Sequence, residues 1–276
     1  IHRMPRVVEE LLTLDERTLV SFGNGKVSVI IDEESGEQIT FRNDRVFSVL
    51  ASFDEDASRF ESVRWFKRQL RSLFIVAPDP RAMRSVSDEE QDHPSAQGEN
   101  FASWFRYLSA ERQDRVFELT QRLRETMEGF HSFRLVQVGP ESKQLEVGFG
   151  EPSERPLFYR FEELSDGQRM LIVLYTLLHM ARDEEHPGTL ILDEPQVFVA
   201  LPEIQPWLVE LESAAEEGAV QAVLISHNAE LIDFLGPNAG VLFQRAPGGP
   251  ARLAEIPKGE GASLRLSERI ARGDLA

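Results

Sequence analysis

The chain has no cysteine and comparatively few basic residues. Without thiols it can form no disulfide, no thiolate metal site and no cysteine nucleophile. This is compatible with a reducing compartment, and we expect a cytoplasmic protein. The chain carries 30 Lys and Arg against 47 Asp and Glu, which gives a net charge of −17. Because nucleic-acid binders neutralise phosphates with basic side chains, this balance disfavours such a function.

Two further features are missing, a membrane-spanning apolar run and a secretory signal peptide. The longest apolar run, 170–180, is too short to cross a bilayer and is typical of a buried core helix. We therefore expect no membrane partner.

The chain has 276 residues, 41% of them hydrophobic, which suffices for one large domain or two small ones. One local basic set departs from the acidic balance and lies on a predicted helix. It is either a nucleic-acid patch or a solvated helix face, so nucleic-acid binding stays uncertain. Its members are Arg64, Lys67, Arg68 and Arg71.

The first part of the chain predicts antiparallel strands and several helices. Asn24-Gly25 is a strong hairpin signal between two strands. Apolar spacing predicts a helix over 57–74, and the Pro-, Ser- and acid-rich stretch 77–100 predicts a mobile loop or lid connector. The other predicted elements are strands at 18–22, 26–31, 38–41, 133–138, 144–149 and 157–161, and helices at 101–108 and 111–130.

From Ser165 onward, predicted helices and strands alternate, which favours a parallel sheet with helical crossovers. The runs 189–192 and 219–225 are nearly all apolar, as in strands buried on both faces. The predicted order is helix 166–181, strand 189–193, helix 203–216, strand 220–225, helix 229–235, which Gly236-Pro237 ends, and strand 240–244.

The segment Leu164-Ser165-Asp166-Gly167-Gln168 precedes the apolar helix. Ser165 and Gln168 have the spacing of a capping box, and Gly167 would let a ligand approach the backbone. The free amides and the helix dipole favour an anion at this position. The alternative interpretation is a capping box that only begins a core helix.

The segment Leu190-Ile191-Leu192-Asp193-Glu194-Pro195 is an apolar strand that ends in two carboxylates. Ligand sites in parallel sheets lie beyond the carboxyl ends of the strands. Asp193 could hold Mg²⁺ there, and Glu194 could orient or deprotonate an attacking water. The alternative is a strand that ends in solvated acids.

The segment Ser226-His227-Asn228 follows the next apolar strand, so His227 is predicted at the same sheet edge as Asp193. A histidine there could donate to a γ-phosphate, and Asn228 could cap the following helix. A lone histidine is more often structural. Three such segments in this order, at intervals of roughly one strand–helix–strand unit, together favour a phosphate-binding site.

A phosphate loop, which would cradle the β- and γ-phosphates, is not found in the chain. The nearest string, Gly23-Asn24-Gly25-Lys26-Val27, lacks the first glycine and the Mg²⁺-binding Ser or Thr, and we interpret it as a hairpin turn. We expect the phosphate loop in a segment upstream of Ile1.

These segments resemble those of ABC-type ATPases, in particular soluble bacterial AAA-family proteins built like the heads of SMC and RecF. The 164–168 segment resembles their signature motif, 190–194 their Walker B strand with its catalytic glutamate, and His227 their switch histidine. Gly98-Glu99-Asn100 and the closing stretch 263–273 also resemble parts of this group.

The resemblance implies an α/β P-loop NTPase of ABC-ATPase type, with a mostly parallel sheet, an antiparallel β region and a helical insertion. It predicts an antiparallel β part at 1–56, a helical insertion or lid at 57–130, and the signature, Walker B and switch-histidine part at 131–276.

The resemblance also implies the cofactors ATP and Mg²⁺ and a homodimer of heads that closes around ATP. Asp193 would hold Mg²⁺, and Glu194 and His227 would act catalytically on ATP in their own head. The residues Ser165, Gly167 and Gln168 would contact ATP bound to the partner head.

Two departures from the family pattern keep alternatives open. Asp166 replaces a glycine in the signature, where an acid near a γ-phosphate is unfavourable unless it points away, and the loop 196–202 lacks the usual aspartate. The chain could therefore be a nucleotide-gated sensor or scaffold with little turnover. Relatives imply an effector partner such as a nuclease, in bacterial antiviral defence, and a RecF-like DNA-repair ATPase is a further alternative.

Overall fold

We describe a computed structural model of the chain. It describes residues 7–32, 35–42, 48–52, 61–151, 155–183, 186–245, 248–256 and 264–273. The chain divides into two compact units, 1–72 and 73–276.

The first unit contains an antiparallel four-stranded sheet in the order β1-β2-β3-β4. Its elements are β1 (Glu9–Leu14), β2 (Arg17–Gly23), β3 (Lys26–Asp32), β4 (Glu37–Arg42), a 3₁₀ turn (Leu50–Ser52) and helix α1 (Glu61–Arg71). The predicted hairpin is confirmed, because Asn24 and Gly25 both have positive φ, 52° and 72°, between the paired β2 and β3. The first strand, β1, was not predicted. The core of this unit includes Val20, Val27 and Val63.

The predicted helix 57–74 is wrong at its end. Helix α1 ends at Arg71, and Leu73–Val76 forms strand β5, which belongs to the second unit. Residues 57–60 lie outside the described residues. The apolar residues 73–76 continue the helical pattern in the sequence, so periodicity alone does not show where the helix ends. Residues 73–76 are extended because they pair with residues 189–192.

A three-stranded parallel sheet in the order β11-β10-β5 lies in the second unit. Strands β10 (Gly188–Asp193) and β11 (Val220–Ile225) are the two that the alternating pattern predicted. Helices α4 (Asp166–Ala181) and α5 (Leu201–Glu216) pack with them, and Leu190 and Leu192 are fully buried. The prediction that β11 is buried on both faces is wrong, because its alternate residues Val223 and Ile225 are exposed.

An antiparallel sheet and two helices complete the core that contains α4. In this sheet β8 lies between β7 on one side and β6 and β9 on the other. The interval 77–100 is mostly irregular but includes the short strand β6, and hydrogen bonds join Ala77 N to the carbonyl of Ala96 and Asp79 N to that of Gln97. Its predicted role as a mobile loop or lid connector stays a prediction. The elements are β6 (Val86–Ser87), α2 (Phe101–Glu111), α3 (Gln113–Thr126), β7 (Phe130–Gln137), β8 (Lys143–Phe149) and β9 (Leu157–Arg160).

The C-terminal elements correct two predictions. Helix α6 (Ala229–Ala239) continues through Pro237, which deprives its last turn of one backbone donor without ending it. Gly236 instead makes room for helix α7 (Leu266–Arg272), because a Cβ at Gly236 would lie 2.7 Å from Leu266 Cδ2. The strand predicted at 240–244 does not join the parallel sheet. It is β12 (Val241–Arg245), which pairs antiparallel with β13 (Ala251–Glu255).

The architecture is a mixed α/β fold with several sheets, of which one is parallel. The expected antiparallel β region is present in the other sheets, and the expected parallel sheet consists, among the described strands, of β5, β10 and β11. The predicted helical insertion 57–130 contains β5, a strand of that sheet. The division into three domains stays a prediction. In the part of the chain that is described, no helix is long and apolar enough to cross a membrane.

Candidate functional site

Strands β10 and β11 bring two of the predicted segments to one edge of the parallel sheet. Asp193 and Ile225 are paired neighbours at the carboxyl ends of the strands. One residue further, Glu194 N donates to the carbonyl of Ile225 at 2.8 Å. Glu194 has a positive φ of 49°, which is uncommon for a residue with a side chain. The backbone therefore turns sharply where the two carboxylates leave the strand.

The Glu194 carboxylate accepts three hydrogen bonds from its own chain. Its Oε1 meets the backbone N of His227 at 3.1 Å and lies 2.5 Å from His227 Nδ1. Its Oε2 accepts from Gln196 Nε2 at 2.6 Å. Partial burial acts to raise the pKa of the Glu194 carboxyl, but the bonds from His227 and Gln196 outweigh it and lower that pKa below its usual value.

The groups at this edge differ in their access to solvent. The His227 side chain is 88% exposed and that of Glu194 is 26% exposed, so the pair has a buried side and an open side. Asp193 is exposed. Asn228 caps α6 as predicted, since its Oδ1 accepts from Glu230 N at 2.9 Å and from Leu231 N at 3.2 Å. The cap fixes the start of α6 directly after His227.

Asp193 is the carboxylate that could hold a metal at this edge. Within the described ranges, no group of three or more His, Asp or Glu side chains is placed to hold a metal ion. An all-protein cage is therefore not present there. Mg²⁺ commonly uses one or two carboxylates and completes its octahedron with phosphate oxygens and water, and a single exposed aspartate fits that mode.

The start of α4 has the capping box that the sequence predicts. Ser165 Oγ accepts from Gln168 N at 3.2 Å, and Gln168 Oε1 accepts from Ser165 N at 3.1 Å. The box accounts for the local role of both side chains. Their predicted contact with a nucleotide stays a prediction.

Asp166 is clamped by two arginines that the sequence analysis did not identify. Arg81 Nε donates to Asp166 Oδ2 at 3.1 Å, and Arg169 Nη2 donates to Asp166 Oδ1 at 2.5 Å. Arg169 is buried, and its Nη1 also donates to the carbonyl of Pro80. An arginine within a helix of buried apolar residues was a signal, because a buried charge needs a partner. The anticipated repulsion between Asp166 and a phosphate is thus offset by two adjacent positive charges.

Gly167 is closely approached by its own chain. A Cβ at this position would lie 3.1 Å from the carbonyl oxygen of Phe198, in the loop that follows β10. Phe198 also stacks under the Arg81 guanidinium, 5.2 Å from its ring centroid. The lack of a side chain at Gly167 therefore serves an internal contact in this structure.

The loop after β10 links the two groups of candidate residues. Gln196 contacts Glu194 near the start of this loop, and Phe198 contacts Gly167 and Arg81 further on. The structure thus brings Glu194 and His227 together, and separately Ser165 and Gln168. Gln196 was not predicted as a site residue, and its place directly after Glu194-Pro195 gave no specific signal.

No protein-family model matches the chain, and no curated protein matches it. Solved structures of SMC heads show a weak similarity. One is a structure of an SMC ATPase, a class for which ATP-driven dimerisation and DNA-stimulated activation are described. It is 15% identical over 56% of this chain and 89% of its own, with a TM-score of 0.40. A head with coiled coil and joint from Pyrococcus yayanosii is 15% identical over 64% of this chain and 31% of its own, at 0.41.

A third structure, an SMC head bound to the C-terminal winged-helix domain of ScpA, is 14% identical over 88% of this chain and 69% of its own, with a TM-score of 0.43. Scores at this level do not establish a shared fold. The chain also spans less than a third of the Pyrococcus yayanosii chain that it matches.

Proposed function

We propose that the chain is part of an ABC-type ATPase head that uses ATP and Mg²⁺. The observation that supports this most directly is the Glu194–His227 pair beside Asp193, at the carboxyl ends of two adjacent parallel strands. Ligands of parallel sheets bind beyond those strand ends. A carboxylate for the metal and a second one for the attacking water are two of the groups that phosphoryl transfer to water uses, and the exposed imidazole lies beside them.

In this proposal Asp193 holds Mg²⁺ together with phosphate oxygens of the nucleotide, and the metal neutralises charge on the transferred phosphoryl group. Glu194, kept ionised by its hydrogen bonds, orients the attacking water and accepts its proton. His227 Nδ1 faces Glu194, which leaves Nε2 to meet a phosphate. With Nδ1–H donating to Glu194, Nε2 can donate only if the ring is protonated, so the phosphate contact uses the imidazolium.

We further propose that the start of α4 contacts ATP held by a second head. Ser165, Gly167 and Gln168 would lie against its terminal phosphate, with the helix dipole and first-turn amides attracting the anion. The positive charges of Arg81 and Arg169 offset the repulsion between the Asp166 carboxylate and this phosphate. The phosphate loop has to come from polypeptide outside this sequence, and the heads would act as a homodimer.

The test is Glu194→Gln in the natural full-length protein, assayed with ATP and Mg²⁺. We expect turnover to fall by at least about 100-fold, because the water loses its base, while ATP binding is retained. Glu216→Gln, at an exposed position of α5, is the matched control and should leave turnover unchanged. Undiminished turnover in Glu194→Gln would refute the assignment.

A second candidate function is a nucleotide-gated sensor or scaffold with little turnover. It is favoured by the engagement of both Glu194 oxygens by donors of the same chain, which restrains the group that would meet water. Tight ATP binding by the wild-type full-length protein, with hydrolysis close to the uncatalysed background, would select this function.

The partners rest on the family resemblance. If the head acts with an effector such as a nuclease in bacterial antiviral defence, a second protein should co-purify stoichiometrically with it. The RecF-like alternative predicts salt-sensitive duplex DNA binding by the ATP-bound dimer. Recovery of the head alone would count against the effector.

A further inference from the structure

Gln196 is a buried residue that contacts Glu194, the candidate base. Two successive turns return the chain toward Glu194, since Val197 N donates to the carbonyl of Glu194 at 3.2 Å and Val199 N to that of Gln196 at 3.1 Å. The Gln196 residue is 8% exposed, and its Nε2 reaches Glu194 Oε2 at 2.6 Å. A side chain buried in this way has few alternative rotamers.

The orientation of the Gln196 amide follows from the chemistry of its neighbour. Backbone N–H groups can only donate, so the bond from His227 N requires an acceptor at Glu194 Oε1. An ionised carboxylate also accepts at Oε2, and therefore the Gln196 NH₂ faces it. The Gln196 Oε1 is left buried without a hydrogen-bond partner among the described residues.

We propose that Gln196 is a positioning residue for Glu194, an inference that rests on the proposed function of Glu194 as the base. Each carboxylate oxygen has two lone pairs. Oε1 receives two donors from His227 and Oε2 receives one from Gln196. The remaining lone pair of Oε2 is the place where the attacking water donates its hydrogen, and Gln196 fixes its direction.

The first test uses the chain itself and needs no nucleotide. The amide of His227 donates to Glu194 Oε1, so its hydrogen exchange reports whether the carboxylate is held in place. We expect Gln196→Met, which keeps the volume and removes the donor, to speed exchange at this amide by at least about tenfold. Gln144→Met is the matched control, because Gln144 Nε2 donates in the same way to Glu146 Oε1, at 2.8 Å, and should leave His227 unaffected.

The second test exchanges the partners. Gln196→Glu sets two carboxylates against each other and should lower the midpoint of urea unfolding. In the double variant Glu194→Gln/Gln196→Glu, the new amide at 194 keeps an oxygen toward His227 and donates its NH₂ to the new carboxylate. The midpoint should return to near the wild-type value. Additive effects of the two substitutions would contradict the pairing.

The third test connects positioning to the reaction in the full-length protein. Gln196→Met should lower kcat by about tenfold and leave KM for ATP unchanged, since only the water loses its alignment. The swapped double variant should fold and stay inactive. Faster exchange at His227 with an unchanged kcat would overturn the link to catalysis. Turnover by Glu194→Gln at the wild-type rate would instead refute the proposed function, whatever the exchange result.

Discussion

Asp166 and Glu194 are both carboxylates within segments that the sequence predicts to bind phosphate, yet the chain holds them with different donors. Asp166 meets the guanidinium groups of Arg81 and Arg169. Glu194 meets an imidazole, a backbone amide and the carboxamide of Gln196. Arginine stays protonated at all ordinary pH values, so the charge of Asp166 is permanently neutralised. Two of the three donors on Glu194 are neutral, and the third, the His227 ring, is positively charged only when it is protonated, so the charge of Glu194 is not permanently paired.

This difference separates a carboxylate with a structural role from one suited to chemistry. The Asp166 clamp ties the Pro80–Arg81 turn to the start of α4, and one of its arginines is buried. The Glu194 contacts fix the position of its carboxylate and lower its pKa, with an imidazole, a backbone amide and a carboxamide as donors in place of guanidinium groups. Substitutions at the two sites should therefore affect different properties of the protein.

The largest effect on stability is expected for Asp166→Ala. It leaves Arg169 buried without its carboxylate, and we expect a loss of about 2–3 kcal/mol, reduced from that of a fully buried pair because Asp166 is partly exposed. Urea unfolding followed by the fluorescence of the buried Trp104 and Trp207 measures it. Asp92→Ala, at an exposed position, should change stability by less than about 0.5 kcal/mol. Equal losses in the two variants would remove the structural role of Asp166.

A smaller loss is expected for Ser165→Ala, which removes the N-cap of α4 next to the clamp. Loss of a cap costs about 1 kcal/mol. Asn228→Ala, which removes the cap of α6 next to Glu194, should cost a similar amount in the same unfolding experiment. A much larger loss at Ser165 would mean that the clamp depends on the capping box.

The contribution of Glu194 to the unfolding free energy should depend on pH in the acidic range. Its folded-state pKa is lowered from the usual 4.5, so below pH 4.5 the unfolded chain takes up the proton first. The stability that this carboxylate contributes is complete above pH 4.5 and is lost as the pH falls through the folded pKa. The unfolding free energy of the wild type relative to Glu194→Gln should therefore decline as the pH is lowered below 4.5. A difference that is constant with pH would contradict the lowered pKa.

The smallest effect is expected for Arg81→Ala. The Arg81 side chain is 71% exposed, and exposed ion pairs contribute about 1 kcal/mol or less. Its effect should shrink in 1 M salt, where the Debye length is about 3 Å. Arg84→Ala, also exposed, is the control. An effect of Arg81→Ala that persists in high salt would indicate that stacking on Phe198 is its main contribution.

Local signals in the sequence predicted local structure well. The Asn24-Gly25 turn, the capping box of α4 and the strands β10 and β11 each depend on residues close together in the chain. Strand β5 was not predicted, because the apolar residues of α1 are followed after one residue by the four apolar residues of β5, and the sequence does not mark where the helix ends. Pairing with β10 identifies the strand.

The contacts that define the candidate site come from distant parts of the chain. Arg81 and Asp166 are 85 positions apart, and no spacing rule connects them. Glu194 and His227 could be placed at one edge because parallel strands carry them there. Gln196 lies close in sequence, but its contact depends on the turn that Glu194 makes.

The turn at Glu194 requires a positive φ, a conformation that glycine adopts more easily than glutamate. A residue with a Cβ in the left-handed region carries a conformational penalty of about 1–2 kcal/mol, which glycine avoids. A glycine here would relax the backbone and remove the only side chain that the proposed chemistry assigns to water activation. It would also remove the hydrogen bonds that the carboxylate accepts from His227 and Gln196, so the strained backbone is the conformational cost of holding an ionised carboxylate at this sheet edge.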